Sequence, residues 1–319
     1  MGIRFAATLG LAALVCATGA AWAEDTRDFS FIEANGIELA YLEEGTGPLV
    51  VLLHGYPETA RGWKSVQGKL ASAGYRVVAP NMRGYAPSGF APDADYTVGT
   101  LGADALALIE ARGEDKAVVV GHDWGATAAM SAAVTSPDTV VGLVSLTIPH
   151  PMATQPSLSL FLNAPHFIYY QFPWASWMVA RNDFAHIDGI IDAWAPTLDV
   201  DRRDTTSVKE SLAVEGGVEA VLGYYWSIGA DPTPGTARAD ADTRFAMPTL
   251  MIAGADDGAL DIGLFKDGEA GFAGPYTYVE LEGVGHFPQV EAPDEVAAAL
   301  LMFLDTLDPW DGGSPAPVQ

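Results

Sequence analysis

Gly121-His122-Asp123-Trp124-Gly125 constrains this chain more than any other stretch. It follows Ala117-Val118-Val119-Val120, an apolar run rich in β-branched residues that suits a buried strand. It precedes Ala126-Thr127-Ala128-Ala129-Met130, small residues suited to a helix start. A strand that turns through Gly-X-Asp-X-Gly into a helix holds its central side chain up at the strand's end. A carboxylate in that place favours one kind of electrophile. Attack on an acyl carbon would leave an unstable anhydride, whereas attack on a saturated carbon leaves an ordinary alkyl ester that water can cleave. The turn therefore points to hydrolysis of a carbon–heteroatom bond at an sp³ centre. An aspartate at a helix start can also be a simple cap, so its surroundings decide.

The surroundings alternate between strands and helices. Phe29 to Glu33 and Ile37 to Leu42 flank Asn35-Gly36, a hairpin signal. Pro48 to Leu53, Tyr75 to Ala79, Ala117 to Val120 and Val140 to Ile148 read as buried strands, with a helix over Leu101 to Ala111 closed by Gly113. That rhythm implies a parallel sheet covered by helices. It breaks after Pro149, where residues 150–236 carry half of the eight tryptophans, many Tyr and Phe, and no strand-like run. The pattern predicts a helical insertion there, ended by Asp231-Pro232-Thr233-Pro234-Gly235. Strands resume at Thr249 to Ala253 and Tyr276 to Leu281, and a last helix is expected over about Pro293 to Leu307.

The first residues look like an export signal. Arg4 precedes an uncharged apolar run from Phe5 to Ala20, and Ala21-Trp22-Ala23 supplies the small residues a signal peptidase reads. The expected organisation is a signal peptide over 1–23, core over 24–149, helical cap over 150–236, core again over 237–308, and a frayed tail over 309–319. Export would leave the mature protein periplasmic or secreted, with no membrane span. The sole cysteine, Cys16, would leave with the signal, so neither a disulfide nor a thiol nucleophile is expected. With 41 acidic residues against 16 Lys and Arg, the net charge of −25 argues against nucleic acid and anionic membranes.

Asp123 has candidate partners in the order such a fold requires. His286, in Gly285-His286-Phe287-Pro288, lies between the last strand and the last helix, where a neutral imidazole could deprotonate water. The strand Thr249 to Ala253 ends in Gly254-Ala255-Asp256-Asp257, which selects Asp257 to orient the histidine, with Asp256 as the fallback. His54-Gly55-Tyr56-Pro57 follows the third strand. Backbone N–H groups of Tyr56 and Trp124 there would form an oxyanion hole, and His54, Pro57 and Trp124 would border the substrate pocket.

Together with Arg83-Gly84-Tyr85, these motifs resemble the epoxide hydrolase and haloalkane dehalogenase branch of the α/β-hydrolases over residues 29–307. The resemblance implies an α/β-hydrolase fold, a mostly parallel sheet flanked by helices with a helical cap, and a small apolar epoxide as substrate. It implies neither a metal nor an organic cofactor. Tyr169-Tyr170-Gln171 is similar to the segment carrying the family's first lid tyrosine, which places Tyr169 in that role. Leu222-Gly223-Tyr224-Tyr225-Trp226 is similar to the segment carrying the second, which places Tyr225; Gly223 and Trp226 depart from the family's asparagine and arginine. Two rivals follow. A haloalkane dehalogenase could use the same Asp-His-Asp set with Trp124 as a halide donor, although Tyr56 stands where many of those enzymes place asparagine. A catalytically silent hydrolase fold used for binding is the other, opposed by the complete set of reactive residues.

Overall fold

The structure is a computed structural model and describes residues 28–153, 164–199, 204–230 and 235–307. The expected signal peptide, most of the Asp231–Gly235 boundary and the tail lie outside the described residues. In chain order the elements are β1 (Ser30–Ala34), β2 (Ile37–Glu44), β3 (Leu49–Leu53), α1 (Lys64–Ser72), β4 (Arg76–Pro80), α2 (Val98–Ala111), β5 (Ala117–His122), α3 (Trp124–Thr135) and β6 (Val140–Leu146). Four helices follow: α4 (His166–Tyr169), α5 (Ala175–Trp194), α6 (Thr206–Ala213) and α7 (Gly217–Trp226). The chain then returns through β7 (Thr249–Gly254), α8 (Gly263–Asp267), β8 (Tyr276–Leu281), α9 (Pro288–Glu291) and α10 (Pro293–Leu304).

The strands form one eight-stranded sheet in the order β1-β2-β4-β3-β5-β6-β7-β8. β1–β2 and β2–β4 are antiparallel; every later pair is parallel. β3 and β5 are buried along their whole length, as the apolar runs Leu49–Leu53 and Ala117 to Val120 require of strands covered on both faces. Two apolar cores result. One, with Val51, Val119 and Leu143, packs under α2, α3 and the cap helices. The other, with Val50, Val118 and Val144, packs under α1 and α10.

Local chemistry sets the element ends. Asn35 and Gly36 both take positive φ, 47° and 77°, which is what a two-residue hairpin needs. α2 begins three residues before the expected Leu101 because Thr97 caps it, its side chain accepting from the Thr100 N–H. β6 ends at Leu146, two residues short of Ile148. Thr147 turns to φ 61° there and gives its N–H to the Ile252 carbonyl. The last helix stops at Leu304, with α9 as a separate turn before it. No helix among the described residues is long and apolar enough to cross a membrane.

Candidate active site

The turn after β5 is as tight as its glycines suggest. Asp123 is held at φ 51° and ψ −119°, a costly conformation for a residue with a Cβ. A Cβ at Gly121 would run into the Gly125 carbonyl, one at Gly125 into the Leu53 carbonyl, and one at Gly55 into Asp123 itself. Three glycines thus let two loops close around one carboxylate. Asp123 Oδ1 accepts the Tyr56 N–H at 2.8 Å, so one of the two expected oxyanion-hole amides already points at the carboxyl group.

His286 comes in from the far end of the sheet. Its Nε2 lies 3.7 Å from Asp123 Oδ2, facing the carboxylate without being locked to it. Its Nδ1 lies 2.8 Å from Asp257 Oδ2, and the other Asp257 oxygen accepts the N–H groups of Ala259 and Leu260 at 2.7 and 3.1 Å. Asp257 therefore faces the histidine, while Asp256 is exposed. The end of α5 fixes both loops: the Trp194 carbonyl accepts from the N–H groups of His286 and Gly258.

Electrostatics ties the three groups together. Burial alone would push the Asp123 carboxyl up, yet the adjoining His286 imidazole outweighs it and holds the group below the usual carboxylate range. Burial likewise works against the His286 imidazolium, but Asp257 and then Asp123 raise it to about 10. At neutral pH the resting site is an Asp123 carboxylate beside an imidazolium.

The lid side chains arrange themselves unevenly over this pair. Tyr225 is buried, its ring 5.2 Å from Trp124 and 5.6 Å from Tyr56. Burial raises its hydroxyl pKa well above the ordinary value, and the charge of Asp123 raises it further. Tyr224, one position away, instead donates to the Arg83 carbonyl at 2.7 Å. Tyr169 is half-buried, its ring 4.9 Å from that of Tyr170. Tyr170 is fully buried, its hydroxyl 2.7 Å from both the Tyr56 hydroxyl and His186 Nε2.

Of the expected pocket residues, His54 has both ring nitrogens engaged by backbone, Nδ1 with the Gly55 carbonyl and Nε2 with the Met82 N–H. Burial lowers its pKa to about 4, so it stays a neutral brace for the loop. Pro57, joined to Tyr56 by a cis peptide bond, borders a cavity of about 370 Å³ also lined by Glu58, Gln289, Ile191, Leu198 and Val208.

Sequence reasoning missed the pairing of Glu58 with His122, although Glu58 adjoins one of the motifs it used and His122 lies inside the other. His122 Nε2 donates to the His286 carbonyl at 2.7 Å, which leaves Nδ1 to accept; Glu58 Oε2 lies 3.5 Å from Nδ1 and accepts from Gln289 at 2.5 Å. Burial raises the Glu58 carboxyl from 4.5 to about 7 and lowers His122 to about 3. Between pH 4.5 and 7 the folded protein thus holds a Glu58 proton that the unfolded chain has lost. Its contribution to stability declines as pH rises through that window. Glu58→Gln should flatten the fall in melting temperature over that range; an unchanged profile would refute the shift.

The alpha/beta hydrolase fold family matches residues 48–187. An epoxide hydrolase of Caballeronia sordidicola is 30% identical over 317 residues, 87% of this chain and 93% of the relative. Epoxide hydrolase A of Mycobacterium tuberculosis is 30% identical over 321 residues, 87% of this chain and 97% of the relative. The structure of an epoxide hydrolase from an endophytic Streptomyces is similar at a TM-score of 0.74 and 26% identity, covering 87% of this chain and 95% of that one. This chain is a hydrolase and belongs to the α/β-hydrolase family, in its epoxide hydrolase branch.

Proposed function

We propose that the enzyme converts apolar epoxides to vicinal diols through a covalent ester on Asp123. One observation carries the choice: the buried Tyr225 packs its ring 5.2 Å from that of Trp124 and 5.6 Å from that of Tyr56, whose N–H addresses Asp123, so a phenol faces the turn that carries the carboxylate. A hydroxyl donor suits an oxygen that becomes an alkoxide, since both the hydrogen bond and the proton can follow the charge.

In this scheme an Asp123 oxygen attacks a ring carbon, the carbon–oxygen bond breaks towards the oxygen, and the alkoxide takes the Tyr225 proton. Ester formation removes the Asp123 charge that helped hold His286 protonated. The imidazolium then gives up its proton, by way of water, to the tyrosinate. Neutral His286, oriented by Asp257, next takes a proton from water as the resulting hydroxide attacks the ester carbon. Backbone N–H groups of Tyr56 and Trp124 receive the oxyanion. Collapse expels the diol alkoxide, which takes the new carboxyl proton, and the Asp123–His286 ion pair returns.

The test is a paired panel of a terminal aryl epoxide and a primary bromoalkane, assayed for diol and for bromide. Diol without bromide is expected. Bromide release without diol would assign the same residues to a dehalogenase, and neither product from active-site-intact protein would favour a silent fold.

A further inference from the structure

We propose that His166 is the second lid donor to the epoxide oxygen, beside Tyr225, in the role the sequence suggests for Tyr169. The inference rests on the epoxide reading above and assigns the lid its second catalytic residue.

The geometry of α4 separates the candidates. Residues four apart share a helix face, so His166 and Tyr170 point inwards together, and both are buried. Tyr169 is turned away and remains half-buried. Burial raises its hydroxyl pKa to about 12, and neither Asp123 nor His286 is among the groups that shift it. Tyr170 is itself committed to Tyr56 and His186.

His166 instead reaches the site. Its ring lies 5.5 Å from that of Tyr225 and 4.8 Å from that of Trp194, which is in turn 5.0 Å from the His286 ring. The charges of Asp123 and His286 both act on it. It is 4% exposed, yet its Nδ1 has no hydrogen-bond partner among the described residues. A buried polar atom left so costs free energy, and a substrate oxygen bound beside Tyr225 would relieve it.

The protonation state fits a donor role. Burial lowers the imidazole pKa to about 3, with the His286 charge acting in the same direction and Asp123 opposing it. His166 is therefore neutral at working pH and carries one ring N–H. It can hydrogen-bond the developing alkoxide while keeping its proton, which leaves proton transfer to Tyr225. A second imidazolium beside that of His286 would be repelled; a neutral ring is not.

The experiment measures how fast a terminal aryl epoxide adds its mass to the protein in a His286→Gln background, where the ester should accumulate. His166→Phe should slow this addition by about 10²-fold, the usual loss for one oxyanion donor. His166→Tyr, which restores a donor, should recover most of that loss, whereas Tyr169→Phe should stay within about twofold of the parent. Melting temperatures of the variants separate loss of fold from loss of rate. If His166→Phe does not fold, the contrast between Tyr169→Phe and Tyr225→Phe decides. Addition by a folded His166→Phe protein at the parent rate, or slowing by Tyr169→Phe equal to that by Tyr225→Phe, overturns the inference and leaves the epoxide reading intact. No adduct in the His286→Gln parent overturns both.

Discussion

Asp123→Ala should reduce diol formation by on the order of 10⁴-fold or more, with little change in melting temperature. The first half follows from position. Asp123 is the carboxylate the β5–α3 turn presents beneath Tyr225, and the Tyr56 N–H already addresses one of its oxygens at 2.8 Å. Asp257 spends both oxygens on His286 and two backbone N–H groups, so it has none free to substitute as nucleophile. Direct attack by water on the epoxide would be the remaining route, without the covalent ester. The second half follows from the backbone. Alanine at φ 51° suffers the same steric cost as aspartate, so no strain is added or released. What the substitution does remove is the charge facing His286. The imidazolium, raised to about 10 in part by Asp123, should then titrate lower. The checks are diol release at saturating substrate and the His286 titration by NMR. A variant retaining a tenth of the activity would exclude Asp123 as nucleophile.

Strands written as unbroken apolar runs, such as Leu49–Leu53 and Ala117 to Val120, were legible in the sequence because burial on both faces admits little else. The Asp123–His286–Asp257 cluster was legible for a related reason. Each side chain stands at the end of a strand, and the order of strands fixes which ends meet. The lid was harder to read. Its helices carry aromatic residues on nearly every face, so a shift of one position changes a side chain's direction without changing its apparent pattern. Tyr225 and Tyr224 differ in this way, and so do Tyr169 and Tyr170. His166 gave no signal at all, since a lone histidine among aromatics looks like packing until its neighbours are located and its Nδ1 is found without a partner among the described residues. Glu58 and His122 went unread because a carboxylate and an imidazole, 64 positions apart by number, meet only once β3 and β5 pair in register.

His286→Gln should leave ring opening in place and stop ester hydrolysis, so that each protein molecule gains the mass of one epoxide. The asymmetry comes from charge. In the resting site His286 is an imidazolium, and what Asp123 needs for attack is its own negative charge, already held below the usual carboxylate range. Glutamine keeps an N–H donor near Asp123 but cannot take a proton from water. Hydrolysis is different, because the ester cancels the Asp123 charge and leaves His286 with Asp257 alone. The imidazole pKa must then fall below its resting value of about 10, and a base appears only after the bond that needs it has formed. Single-turnover measurements should therefore show hydrolysis in the wild type falling at low pH with an apparent pKa below that of the resting His286. Turnover in the variant should be lower by about 10⁴- to 10⁶-fold, as for loss of the histidine in other nucleophilic hydrolases. Intact-protein mass spectrometry reads the adduct, and peptide mapping should locate it on Asp123. A variant that releases diol without accumulating an ester would show that some other group activates the water, and Glu58, whose carboxyl is raised to about 7 beside His122, would be the first to examine.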